Sequence, residues 1–190
     1  MDLDDKTCLV TGADSGIGKH TSIKLAQKGA HVVMLCRDIE KAQEARKEII
    51  EESGNPDVDL IMCDLSLMRS IREAVEEFKE RFDDLHVLIN NAGVLLPERE
   101  ITDEGNEKSF AVNYLGPFLL THLLLDVMKK NAPARIVNVT SARHTRGSID
   151  FDNLQMKKGR YSGWRAYANS KLAMVMFTYE LAEKLSNEGI

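Results

Sequence analysis

Two side chains four positions apart, Tyr167 and Lys171, open the chemical argument; they sit in Tyr-Ala-Asn-Ser-Lys, with no glycine or proline between them. On a helix such positions share a face, so the ammonium would stand near the phenol. A free phenol, with a pKa of about 10, is a poor acid or base at neutral pH, and a neighbouring positive charge stabilises the phenolate. Taken alone, this spacing also describes an ordinary pair on a helix surface. A second constellation is Thr11-Gly12-Ala13-Asp14-Ser15-Gly16-Ile17-Gly18, lying between an apolar run and a helical period. Glycines allow a tight turn and a close backbone approach, and the free N–H groups at a helix start favour a pyrophosphate. The Gly-x3-Gly-x-Gly spacing differs from the Gly-x-Gly-x2-Gly dinucleotide fingerprint, and no Gly-Lys-Ser/Thr follows to make a P-loop. A purely structural turn is the other reading of that loop.

The elements that would hold these residues alternate. Apolar runs at Thr7–Val10, His31–Cys36, Val58–Cys63, Leu85–Ile89 and Ala134–Val139 predict five strands. Between them, helical periods place Ile17, Thr21 and Leu25 on one face, then Ile39, Ala42, Ala45 and Ile49, then Leu67, Ile71, Val75, Phe78 and Phe82 behind Ser66 as N-cap. A long helical region spans about Gly105 to Asn131 and is expected to bend at Pro117, which lacks a backbone donor. A last helix covers Arg165 to Asn187. Continuous rather than alternating apolar strands are buried on both faces, which predicts an α/β fold with a doubly wound parallel sheet between helices, residues 1–190 forming one domain.

Composition narrows the function. The 190 residues suit one domain, at roughly 100–200 residues each, and 43% hydrophobic with 29% charged residues excludes disordered and fibrous classes. A net charge of −5, from 25 basic and 30 acidic side chains, argues against a nucleic-acid partner. The longest apolar stretch, Phe118 to Met128, falls short of the ~20 residues of a membrane span and contains His122 and Asp126. Met1 to Lys6 is acidic with no apolar run, so no signal peptide is expected and the cytosol is the expected compartment. Cys8, Cys36 and Cys63 make neither a disulfide framework nor a metal spacing and read as small buried hydrophobes.

Three motifs in order, the Thr11–Gly18 loop, Asn90-Asn91-Ala92-Gly93 after the fourth strand, and Tyr167 to Lys171, resemble the short-chain dehydrogenase/reductase family over essentially the whole chain. Cys36-Arg37-Asp38 and Ser141–Gln155 resemble its retinol-dehydrogenase-like branch. The resemblance implies hydride transfer between C4 of a nicotinamide and a carbonyl carbon. Tyr167 would give or take the proton on oxygen, and Lys171 would tune it and bind the nicotinamide ribose. Ser141 would hold the substrate oxygen, and Asn113 would anchor a water of a proton relay. It also implies cofactor contacts at Thr11, Gly12, Asp14, Ser15, Gly16, Ile17, Gly18, Asn91, Ala92 and Gly93, with Asp64 and Leu65 beside the adenine. Plainer roles stay open: Ser141 as a strand-end residue, Asn113 as a helix-kink residue, Asp64 as a helix cap.

An acid at the end of the second strand would accept hydrogen bonds from the ribose of NAD. Arg37 stands there instead, and a guanidinium can hold a 2′-phosphate, which predicts NADP(H) over NAD(H). Lys19 and His20 would add positive charge; a solvated surface arginine is the bland alternative. Ser141 and Tyr167 are 26 positions apart, around an insert carrying His144, Asp150, Phe151, Leu154, Tyr161 and Trp164, which either lines a lipophilic pocket or packs upon itself. The resemblance favours a lipophilic aldehyde, ketone or retinoid-like substrate, although the N-terminal membrane segment common in that branch is not seen. Family members continue with a sixth strand, a Pro-Gly loop, a substrate lid and a seventh strand. The match therefore covers the first five strands and the catalytic helix, with the fifth strand expected at a sheet edge. The family also implies a homodimer through its two long helices. The rival readings are a non-catalytic nucleotide-binding scaffold and, supported by the glycine loop alone, a Rossmann-type methyltransferase.

Overall fold

Five apolar runs become the strands of one parallel sheet: β1 (Thr7–Thr11), β2 (His31–Cys36), β3 (Val58–Met62), β4 (Val87–Asn90) and β5 (Arg135–Asn138). The computed structural model describes residues 2–190; Met1 lies outside them. The strand order is β3-β2-β1-β4-β5, so the winding reverses between β1 and β4, and a crevice opens at their carboxyl ends. Alternate strand residues feed two cores. On one face Cys8, Val10, Val32 and Met34 pack with α1 (Gly16–Ala26) and α2 (Ile39–Ser53). On the other, Leu9, Val33, Leu35 and Leu88 pack with α3 (Met68–Arg81) and with the helix that follows β4. As expected, β5 forms an edge, with Val137 exposed.

Three local expectations are corrected. The face of α1 that meets the sheet is Gly18, Ser22, Ile23 and Ala26, while Ile17 is 69% exposed and Thr21 and Leu25 are half-buried. Small residues face inward because the helix starts against the loop after β1: a Cβ on Gly18 would lie 2.1 Å from the Gly12 carbonyl oxygen. Ser66 is not the cap of α3, which starts at Met68. The carboxylate of Glu104, far along the chain, accepts from the Met68 and Arg69 N–H groups (2.7 and 3.1 Å) and meets the positive end of the helix.

The long helix runs as α4 (Lys108–Phe110), a π turn (Ala111–Leu115) and α5 (Gly116–Lys130). The irregularity falls in the turn before Pro117: proline offers no N–H to the carbonyl four residues back, and the widened turn absorbs the lost bond. Over its 23 residues this helix is long and apolar enough by composition to cross a bilayer, which the Phe118–Met128 stretch alone was not. Leu120, Leu124 and Met128 are fully buried in the core. A 3₁₀ turn (Ala142–Arg146) and α6 (Gly163–Lys184) complete the chain, α6 burying Met174, Phe177 and Leu181 against Tyr114, Leu125 and Ile136.

Candidate active site

The crevice is built by ties between the ends of β1 and β4. The buried Thr11 hydroxyl accepts from the N–H groups of Asn91 and Ala92, both at 2.9 Å. The Asn91 side-chain amide donates back to the Thr11 carbonyl (2.9 Å) and the Gly12 carbonyl (3.3 Å). These bonds press the glycine loop against the stretch after β4. Ser15, at the N-cap of α1, makes no capping bond, and the first turn carries no acid. The amino end of α1 thus has neither a side-chain capping bond nor an acid in its first turn, and it opens on a cavity of about 420 Å³ bordered by Gly12, Asp14, Ser15, Gly16, Asp64 and Gly93. Unpartnered N–H groups at a helix start are the donor set a pyrophosphate needs, so the residues present fit a dinucleotide.

At the far end of this cavity stand Arg37 and Lys41. Asp38 caps α2 by accepting from the Lys41 N–H (3.2 Å), and that bond first, then the Lys41 ammonium, holds its carboxyl below the usual range. Lys41 was not foreseen: it comes one turn into α2, and only the folded cap brings it back over the crevice. Lys19 is turned elsewhere, paired with Glu48 on α2, whose hydrogen bond raises its pKa. His20 lies on the outer face of α1 with Thr21 and Lys24, away from this cavity. One Asp64 carboxylate oxygen accepts from the Ser66 N–H (2.8 Å), two residues ahead of α3, so Asp64 closes the turn before the helix and does not cap it; Asp64 and Leu65 both border the cavity. Cys36 and Cys63 lie there too, but burial pushes each thiol up to about 12 and leaves them poor nucleophiles. All three cysteines are buried and free, as expected.

A second cavity of about 520 Å³ continues from the first, sharing Ile17, Asn91, Gly93 and Val94 with it. Ser141, Tyr167 and Lys171 all border it. Lys171 is 4% exposed; its Nζ donates to the Val139 carbonyl (2.9 Å) and lies 5.7 Å from the centroid of the Tyr167 ring. Burial lowers its pKa. An ammonium has three donors, and two remain for the cavity. The Ser141 hydroxyl accepts from the Arg143 N–H (3.2 Å), which caps the 3₁₀ turn and orients the side chain.

Asn113 sits in the π turn, 1% exposed, with its whole amide engaged: Oδ1 accepts from Val94 N–H (2.7 Å), and Nδ2 donates to the Val94 carbonyl (2.9 Å) and Ser170 Oγ (3.0 Å). Its side chain joins the stretch after β4 to α6. Between them passes Gly93, where an added Cβ would lie 3.3 Å from Asn113 Oδ1 and 3.4 Å from Lys171 Nζ. In the insert, Tyr161 donates to the buried Glu107 carboxylate (3.0 Å), while Trp164 and Leu95 border the second cavity. Of the insert's aromatics, Tyr161 packs, Trp164 lines the cavity and Phe151 is exposed. Trp164 is among the residues expected at a pocket wall, whereas Leu95 and Arg143 join the site through tertiary contacts that motif spacing does not announce.

Fold and crevice together define the class: a doubly wound Rossmann protein with its site at the winding reversal. Residues 6–190 match the profile of the short chain dehydrogenases, and the chain belongs to that family. Relatives place it in the retinol-dehydrogenase-like branch. It is 48% identical to human retinol dehydrogenase 11 over 190 residues, 100% of this chain and 59% of that protein. It is 45% identical to human retinol dehydrogenase 13 over 185 residues, 97% of this chain and 56% of that protein. The chain thus spans a little over half the length of these curated relatives. Among solved structures, the Pseudomonas aeruginosa RhlG/NADP active-site complex superposes with a TM-score of 0.80 at 28% identity, covering 100% of this chain and 70% of that one.

Proposed function

We propose that this chain carries the cofactor and proton-transfer half of an NADP(H)-dependent oxidoreductase acting on a lipophilic alcohol or carbonyl compound. The observation that carries the reading is the continuity of the two cavities: the one fitted to a dinucleotide opens directly onto Ser141, Tyr167 and Lys171. When bound, the nicotinamide supplies or takes up the hydride. Tyr167 gives or takes the proton on the substrate oxygen, and the Ser141 hydroxyl orients that oxygen. Lys171, buried and held by Val139, places positive charge beside the phenol and offers its two free donors to the ribose. Asn113 acts as a positioning residue, because its amide is consumed by Val94 and Ser170.

Arg37 and Lys41 at the adenosine end support NADP(H), as does the NADP named in the RhlG complex. Ile17, Val94, Leu95 and Trp164 give the second cavity apolar walls, and the names of the relatives, retinol and polyprenol dehydrogenases, denote lipophilic alcohols. A homodimer is supported by the exposed Phe118 on α5 and Met176 and Tyr179 on α6, Tyr179 being 76% exposed; light scattering tests it. The test of the reaction is Tyr167→Phe, followed by NADPH consumption with lipophilic aldehydes. Cofactor affinity should be retained and turnover cut by about 10²–10⁴-fold, the usual share of general acid–base catalysis. Normal turnover in the variant overturns the assignment, and cofactor binding without turnover in the parent chain supports the scaffold reading.

A further inference from the structure

The groove does not end at Tyr167. Its cavity shares Leu95 and Trp164 with another of about 500 Å³, whose border includes Arg160 and Arg165. The same elements hold both. Arg143 lies two residues beyond Ser141 in the 3₁₀ turn, and Trp164 lies three residues before Tyr167 at the start of α6. A second pair of side chains therefore accompanies the Ser141–Tyr167 pair, nearly one helical turn away.

That pair is built. The Arg143 guanidinium carbon lies 4.6 Å from the centroid of the Trp164 ring, inside the ~6 Å reach of a cation–π contact. Stacking fixes the plane of the cation without using its N–H fork. Among the described residues, Arg143, Arg160 and Arg165 form no salt bridge. Arg165 donates to the Arg160 carbonyl (2.6 Å) and to no carboxylate.

The charge of the segment is as distinctive as its geometry. Residues 142–165 hold six Lys or Arg and two Asp, a net +4, whereas the whole chain is −5, leaving −9 on the remainder. An acidic protein thus presents unpaired cations around the mouth of one apolar-walled groove. A planar guanidinium fork fits a carboxylate or a phosphate in two parallel hydrogen bonds.

We propose that this lobe is a subsite for an anionic group, a carboxylate or a phosphate, at the end of the substrate remote from the reacting carbon. Arg143, which borders the Tyr167 cavity and stacks on the Trp164 that both cavities share, is its specificity-determining contact, and Arg160 and Arg165 border the outer lobe. The apolar part of the substrate lies across Leu95 and Trp164. The proposal rests on the reading of Tyr167 as the reacting end.

Trp164 is the chain's one tryptophan and borders both cavities, so its emission follows ligand entry along this groove. The chain, saturated with NADP+, is titrated with decanol, decanoate and decyl phosphate. At least one of the anions should bind about tenfold more tightly than decanol or better, as charge-assisted bonds imply; which anion leads distinguishes carboxylate from phosphate. Arg143→Gln should bring anion and alcohol to near parity, and Arg143→Lys, which keeps the charge without the fork, should fall between. Equal affinities in the parent chain, or a preference unchanged in both Arg143→Gln and the Arg160→Gln/Arg165→Gln pair, overturn the subsite. A shift of Trp164 emission produced by phosphatidylserine vesicles but by no soluble anion also overturns it, in favour of a lipid surface. NADPH oxidation with sebacic semialdehyde and with decanal separates the two claims. Anion preference without turnover of either aldehyde leaves the subsite standing and defeats the reaction; equal turnover of both, with no anion preference, does the reverse.

Discussion

Thr11→Val is the sharpest test of how the crevice is held. Threonine and valine have the same branching and almost the same volume, and Thr11 is fully buried at the end of β1. An account based on apolar burial alone would expect the variant to be as stable as the parent, or more so. Hydrogen bonding predicts the opposite. The Thr11 hydroxyl accepts from Asn91 N–H and Ala92 N–H and reaches the Ile89 carbonyl (3.4 Å). Without it the Ala92 N–H loses its partner, while the Asn91 N–H keeps a tight-turn contact with the Ile89 carbonyl (3.0 Å). Ala92 is half-buried; an orphaned donor there costs about 1–3 kcal/mol and an ordinary lost bond about 1 kcal/mol, which together give about 3 kcal/mol. At about 2–4 °C per kcal/mol for a domain of this size, the midpoint should fall by about 6–12 °C. Thr11→Ser keeps the hydroxyl and loses one methyl group, costing about 1 kcal/mol. Urea and thermal unfolding of the three proteins, followed by circular dichroism, should rank them parent, Ser, Val. If the Val variant is as stable as the Ser variant, the hydroxyl does not carry the junction and the argument fails.

Arg37→Asp should reverse the coenzyme preference by about ten- to hundredfold in the NADPH/NADH affinity ratio, the worth of a hydrogen bond to a charged group; Lys41→Ala should move it the same way by less. Fluorescence titration measures both, and equal affinity of the parent for the two coenzymes refutes the assignment. The pH dependence of stability has a contribution at His86, whose Nδ1 accepts from the Thr7 N–H (3.1 Å) at the start of the β1–β4 pairing. Burial, then Lys6, holds its pKa below the ordinary 6.5. The unfolded chain therefore binds the proton first, so this contribution is complete above pH 6.5 and is lost as pH falls below that value toward the folded pKa. His86→Gln keeps an acceptor and should flatten that part of the stability profile; an unchanged slope in urea unfolding against pH assigns it elsewhere.

What was legible in the chain was whatever local pattern dictates. Continuous apolar runs gave the five strands and their burial, and the apolar stripe Ile71, Val75 and Phe78 gave the inner face of α3. The register of α1 was not legible, because hydrophobicity points to Ile17, Thr21 and Leu25 whereas the sheet selects Gly18, Ser22, Ile23 and Ala26. Contact distance, set by the glycine loop, overrides apolar content there. The cap of α3 was equally hidden: Ser66 has the residue type, but Glu104 arrives from 36 positions away. Lys41 and Lys19 changed places for a related reason. Both are cations near the glycine loop or the second strand, and only the partner each finds, Asp38 or Glu48, decides which one faces the crevice.

Gly93 shows why motif reading locates a site without explaining it. As part of Asn-Asn-Ala-Gly it was expected to touch the coenzyme, and it does border that cavity. Its missing side chain also leaves the space in which Lys171 Nζ and Asn113 Oδ1 approach the backbone from opposite elements. A methyl group there would press on both at 3.3–3.4 Å, a separation at which the neighbours must yield. The lysine cannot yield freely, because it is buried and bonded to Val139, nor can the asparagine, which is bonded to Val94 and Ser170. The distance between the ammonium and the phenol is therefore set by packing among β4, the π turn and α6. Spacing along α6 alone, four residues from Tyr167 to Lys171, fixes that they share a face; the glycine fixes how deep the charge lies.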